Sequence, residues 1–153
     1  QSNAYIYGFE TAIHFHPQNM QFLHLQSSYT YTLGKKSNNE YLPYIPANKI
    51  DNDIIISKNK ISNKIHDPFI KISNSNVMKQ NKTAPNETYT PQYSIFNTEI
   101  GATFNTKNIN TTISLSLNNL FDKKYIDHLS TLKETEFYNP GRNIILSLKI
   151  KIN

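Results

Sequence analysis

Three histidines, His14, His16 and His24, stand on the polar side of two neighbouring alternating segments. A tight turn at Asn19 that sets Phe15 against Leu23 and Ile13 against Leu25 puts His14 opposite His24. Cross-strand Cβ atoms lie ~5 Å apart, so these two imidazoles would reach one metal ion. No acidic or thiol ligand accompanies them, and the expectation is that they hydrogen-bond to neighbours, with no bound metal or cofactor. Asp127 beside His128, with Ser130 two positions on, has the residue types of an acid–base–nucleophile set. No nucleophile elbow precedes Ser130, and adjacent residues on an extended chain point to opposite sides, so no enzyme is expected. The chain has no cysteine, which removes disulfides, thiolate zinc sites and cysteine nucleophiles.

The elements that would position these groups are strands. In 153 residues there is room for one domain, and Asn, Thr, Ser and Ile are abundant, with ten tyrosines alongside, while Ala is scarce, a composition that favours pleated surfaces. Period-two alternation marks about seven strands: residues 5–16, 20–34, 49–57, 65–78, 92–105, 109–121 and 142–153. In the first, Tyr5, Tyr7, Phe9, Ile13 and Phe15 share one side, with Gly8, Glu10, Ala12, His14 and His16 on the other. The last sets Ile144, Leu146, Leu148, Ile150 and Ile152 against Ser147, Lys149 and Lys151. The segment 65–78 alternates poorly, and Pro68 interrupts it.

Connections alternate in length: short at 17–19, 59–64 and 106–108, long at 35–47, 79–91 and 122–141. In an up-and-down antiparallel meander this gathers every long loop at one end and every tight turn at the other. A transmembrane β-barrel has that asymmetry, with an apolar outer band and a polar lumen. A soluble β-sandwich acting as a binding or adhesion module is the alternative, and it does not require the asymmetry. The hydrophobic fraction is 37% and the mean hydropathy −0.56, and no run approaches the ~18 apolar residues of a spanning helix. The net charge of +5 comes from scattered lysines with no basic face on one element, so nucleic acid is not an expected partner.

The segment "NNLFDKKYIDHLS" (118–130) followed by "NPGRNIILSLKI" (139–150) resembles the carboxyl-terminal signature of TonB-dependent outer-membrane receptors. The matching residues are Asn119, Leu120, Phe121, Asp122 and Tyr125, then Pro140, Gly141 and Arg142. Asp127 to Ser130 resemble the variant common in receptors of the Bacteroidetes type. "YLPYIPANKI" (41–50) and "YIYGFE" (5–10) are similar to two further strand-associated segments of the family. The chain ends Lys151-Ile152-Asn153, where the family usually ends on an aromatic residue.

The resemblance implies that residues 5–153 are the carboxyl-terminal part of a barrel of about twenty-two strands, a fragment that supplies wall and external loops. Gln1 to Ala4 resemble the scar of a cleavable tag. A plug domain that couples to TonB would lie upstream. The parent would import a scarce nutrient across the outer membrane, of the ferric siderophore, haem or cobalamin class, and its partners would be outer-membrane lipid, TonB through the plug and a small chelate. Ligand contact would come from the long loops, with Tyr41, Tyr44, Tyr89, Tyr125 and Tyr138 as candidates because phenols stack on and hydrogen-bond to rigid chelates. Arg142 and Asp122 are expected to order the ends of the last loop through charged hydrogen bonds.

Overall fold

The computed structural model describes residues 3–152. The chain forms one antiparallel sheet. Its long strands are β1 (Ala4–Phe15), β2 (Leu23–Lys36), β3 (Lys49–Ser57), β5 (Ile65–Val77), β6 (Tyr93–Asn105), β7 (Ile109–Asn118) and β8 (Asn143–Ile152). The short β4 (Lys60–Ser62) pairs with β5, and a single 3₁₀ turn lies at Lys133–Thr135. Neighbours in sequence are neighbours in space, in the order β1-β2-β3-β5-β6-β7-β8. This is the expected meander, with β4 added. No second sheet covers either face among the described residues, so the two-layer sandwich is not what the chain forms. Of the four residues resembling a tag scar, Ala4 is the first residue of β1, and the carbonyl of Asn3 just before it accepts from the Ser37 amide at 2.9 Å; Gln1 and Ser2, like Asn153, lie outside the described residues.

Alternation decides what each face carries. Phe15, Leu25, Ile54, Ile72, Thr98, Leu117 and Ile144 form one continuous row of hydrogen-bond-register partners across all seven long strands. The row starts at the last residue of β1, beside a tight turn, and arrives one residue inside β8, beside a long loop. The strands are therefore strongly staggered, as barrel closure with tilted strands demands. The apolar members of this face stand exposed, among them Phe9, Ile13, Ile54, Ile70, Ile100, Leu146 and Leu148. The opposite face is polar and internally bonded. Lys71 pairs with Asp53 and Lys49 with Asp51, each at 2.9 Å, and Ser75 donates to Asp51 at 2.6 Å.

Two local departures from the sequence expectation have clear causes. The β1–β2 connection spans residues 16–22, longer than Pro17–Asn19, because two successive turns close there: Met20 N–H bonds to the Pro17 carbonyl and Leu23 N–H to the Met20 carbonyl. Met20 and Phe22 therefore lie in turns outside the strand, and the register slips by two residues, so that Phe15 faces Leu25 and His14 faces Gln26. Pro68 is absorbed by a bulge between His66 and Phe69, with Asp67 at φ 47°. A bulge is where a strand tolerates a missing amide donor, and β5 runs through as one strand.

The turns are built from Asn and Asp. Among the described residues, five of the seven non-glycine residues with positive φ are Asn39, Asp67, Asn86, Asn119 and Asp122, whereas none of the four glycines has positive φ. Asn and Asp enter the left-handed region at low cost because their short side chains bond to nearby backbone.

Candidate functional site: a crown of three interlocked loops

The long connections 37–48, 78–92 and 119–142 all leave the same end of the sheet, and they fold together over its polar face. Ile45, one of four buried apolar residues among those described, sits on Gly34 of β2, where a Cβ would lie 2.6 Å from the Ile45 side chain. Tyr93 and Ile95 at the start of β6 are buried, and Tyr125 of the third loop stacks on Tyr93 at 4.6 Å between centroids. The Tyr93 hydroxyl donates to Asp127 at 2.9 Å.

Polar ties join all three loops. Gln80 and Thr90 form a two-bond bridge inside the second loop, at 2.9 and 3.0 Å. The Gln80 amide reaches into the first loop, donating to the Ile45 and Pro46 carbonyls at 2.9 and 3.1 Å. Glu87 accepts from the Tyr44 amide at 3.0 Å through one oxygen and from the Ala84 amide at 2.9 Å through the other. His128, from the third loop, buries its ring to 2% exposure against these groups: Nε2 lies 3.2 Å from Glu87, and Nδ1 lies 2.8 Å from the Thr90 hydroxyl and 3.1 Å from Lys133 Nζ. Lys133 also donates to the Thr88 carbonyl, and Thr88 donates to Glu134 at 3.0 Å.

These contacts fix the tautomer. An ammonium can only donate, so Nδ1 accepts and the proton sits on Nε2, directed at Glu87. Burial pushes the His128 pKa down, the Lys133 charge adds to this, and Glu87 opposes it. Glu87 is held below the usual carboxylate range: burial acts to raise it, and the Tyr44 and Ala84 amides with the nearby cations outweigh that. Tyr125 is shifted upward by burial and then by Asp127.

Thr90, His128 and Glu87 stand in the order hydroxyl, imidazole, carboxylate. Thr90 is only 3% exposed, its backbone is committed to the Gln80 bridge, and Lys133 occupies the Nδ1 lone pair that a general base would use. The arrangement is a clamp. The sequence-adjacent set is separate: Asp127 is spent on Tyr93 and the Leu129 amide, and the Ser130 hydroxyl accepts from the Leu132 amide.

The motif residues make the turn that opens the third loop. Asn119, buried and at φ 50°, accepts from the Lys123 amide at 2.8 Å and donates to the Lys123 carbonyl at 2.9 Å, while its own amide donates to Asn97. Leu120 N–H bonds to the Phe96 carbonyl at 2.7 Å, and Phe121 meets Phe96 edge-on at 5.3 Å. Asp122 does join the two ends of the loop, but it accepts from the Arg142 backbone amide at 2.8 Å; the bond uses no guanidinium charge. A Cβ at Gly141 would fall 2.6 Å from the Asp122 carboxylate, so a larger residue there would push aside the side chain that accepts from Arg142. Pro140 offers its carbonyl to Asn119 at 3.5 Å.

The five tyrosines divide into two sets. Tyr44 is 76% exposed, and Tyr89 and Tyr138 are also free to solvent. Tyr44 holds φ 57°, a strained conformation for a bulky residue, while its amide is gripped by Glu87. Tyr41 and Tyr125 are committed to packing: Tyr41 pairs with Lys35, whose ammonium lies 5.2 Å from its ring centroid, and Tyr125 lies on Tyr93. At the opposite end of the sheet, the two-residue slip brings His16 against His24, with Nδ1 atoms 2.5 Å apart, and leaves His14 out of the pair. Among the described residues no group of three or more His, Cys, Asp or Glu gathers at one point.

Glu87, Thr90, Gln80 and Lys133 carry the clamp without any motif to announce them. Their partners in the other loops lie 34 to 45 positions away, and only the odd pairing of loop ends could hint at it.

No protein-family model matches the sequence, nor does any curated protein. Among solved structures the chain is similar to the copper transporter OprC, with a TM-score of 0.72 and 20% identity. The alignment covers 96% of this chain and 23% of that one, so this chain spans less than a quarter of OprC's length. At that identity the likeness is one of fold: an antiparallel meander of the kind that forms part of a transporter's β-barrel.

Proposed function

We propose that this chain is wall and external crown of an outer-membrane transporter, a TonB-dependent receptor of the Bacteroidetes type, coupled to TonB through a plug domain elsewhere in the protein. The observation that carries this reading is the sheet itself: one face apolar and exposed across staggered strands, the other polar, with every long loop at one end. The turn formed by Asn119, Leu120, Phe121 and Asp122, closed by Gly141 and Arg142, supports the same family. The location is the outer membrane, and the chain binds and positions cargo without making or breaking bonds.

The cargo we infer is a small rigid chelate of the ferric siderophore, haem or cobalamin class, met by the exposed phenols of Tyr44, Tyr89 and Tyr138. A bare copper ion, the cargo in the neighbour's name, finds no ready cluster of ligating groups among the described residues, so aromatic recognition of a chelate is the better reading.

Absence of cysteine gives a clean test. Single cysteines placed at Tyr89 and at Lys107 in the intact protein should be labelled differently on whole cells by a membrane-impermeant maleimide: Cys at 89 reacts, Cys at 107 reacts only after the envelope is opened. Equal labelling of both in intact cells would defeat the topology. Loss of uptake of one chelate in the Tyr44→Ala/Tyr89→Ala/Tyr138→Ala protein, with normal insertion, tests the cargo.

A further inference from the structure

The tight-turn end of the sheet carries a groove that the transporter reading leaves unexplained. Its floor is Ile56, Ile70, Ile100 and Phe104 on the apolar face; Phe22 from the β1–β2 turn and Ile61 from β4 stand at its sides. All six are substantially exposed. The groove exists because the β3–β5 hairpin continues beyond the sheet: Lys58 N–H bonds to the Pro68 carbonyl and Asp67 N–H to the Asn59 carbonyl, both at 3.1 Å, on either side of the bulge. Its volume of about 1120 Å³ lies just above the roughly 300–1,000 Å³ range typical of small-molecule sites. Lys58 and Lys60 stand on its wall, and neither forms an ion pair among the described residues.

Charge is distributed unevenly along the strand direction. Lys58, Lys60, Lys64, Lys107, Lys149 and Lys151 lie in the tight turns or in the adjoining part of β8, with Asp67 the one carboxylate among them. This end alone therefore accounts for the chain's net +5, since of 16 basic and 11 acidic residues the remaining ten cations are matched by ten carboxylates. Apolar floor and cationic rim are the two halves of a phospholipid's chemistry: acyl chains against Ile and Phe, phosphate against unpaired ammonium groups.

We propose that this groove is a binding site for an anionic phospholipid of the leaflet that meets the tight turns, its acyl chain lying over Ile70 and Phe104 and its headgroup phosphate held by Lys58 and Lys60. The assignment rests on the transporter reading above, which puts the apolar face in a bilayer. A soluble phosphate would use the lysines but not the groove, so the occupant is the lipid.

Native mass spectrometry of the intact protein released from uncharged micelles tests this, with phosphatidylglycerol and phosphatidylcholine of identical acyl chains as probes. Phosphatidylglycerol should be retained preferentially. The Lys58→Gln/Lys60→Gln variant should lose that preference by roughly tenfold or more, and Ile61→Asp should weaken retention of both lipids. Lys79→Gln/Lys82→Gln, at the loop end, should leave retention unchanged. Equal retention of the two lipids by a chain that enters micelles normally overturns the site and leaves the transporter reading standing. A chain that enters no micelle at all overturns both. A loss in the loop-end variant equal to that in Lys58→Gln/Lys60→Gln would show general charge attraction and also overturn the site.

Discussion

Asn119 is the residue on which the third loop depends, because it is buried, sits in the left-handed region and bonds through its amide, its carboxamide oxygen and its carboxamide nitrogen. Asn119→Ala should cost about 1–3 kcal/mol of local stability by stranding buried partners, seen as faster hydrogen exchange across 119–142 with the strands unaffected. Asp122→Ala should do the same more weakly. Arg142→Gln should leave the loop protected, since the Asp122 bond is to its backbone amide; loss of protection there would restore a role for the guanidinium. His128 gives the crown a pH dependence. Its folded pKa is depressed, so the unfolded loop binds more protons as pH drops below the ordinary histidine value of ~6.5. Its contribution is complete above that value and declines as pH falls through the folded pKa. Glu87, also depressed, contributes above its ordinary carboxylate value and is lost at still lower pH. Proteolysis of the loops should accelerate in two acid steps, and His128→Gln should remove the upper one.

At the scale of elements, seven long strands and the ordering of long and short connections were legible because alternation at period two is a backbone property that every residue reports. The faces of the cleanly alternating segments, such as 5–16 and 142–153, were legible for the same reason, and they survived the β1–β2 register error because the slip was two residues, an even number; those of 65–78, with its bulge at Pro68, were not. The turn itself was not legible: nothing in Pro17–Phe22 says whether one turn or two will close, and the His14–His24 pair was lost with it. The clamp was invisible for a different cause, since Gln80, Glu87, Thr90, His128 and Lys133 meet only when three loops converge. Gly34 tests that convergence. Gly34→Val should push Ile45 off the sheet and cost about 1–3 kcal/mol by overpacking, exposing 37–48 to protease; unchanged cleavage would mean that the polar ties from Gln80 and Glu87 hold the first loop without the Ile45 contact.

For the whole molecule, the open sheet leaves β1 and β8 each with one unpaired side, and unpaired strand edges recruit neighbours. Within a barrel those neighbours are further strands, and the apolar face meets lipid. Adjacent positions on β8 separate the two faces: Leu148→Arg should impair insertion into vesicles by about 2–4 kcal/mol, whereas Ser147→Arg should be tolerated. Equal penalties would refute the assignment of faces. The interlocking of the crown has a historical consequence as well. A surface under pressure to change would be free to vary at Tyr89 or Tyr138, but Gln80, Glu87, Thr90, His128 and Lys133 can only drift in concert, so descendants of this chain should keep or replace those five as a set.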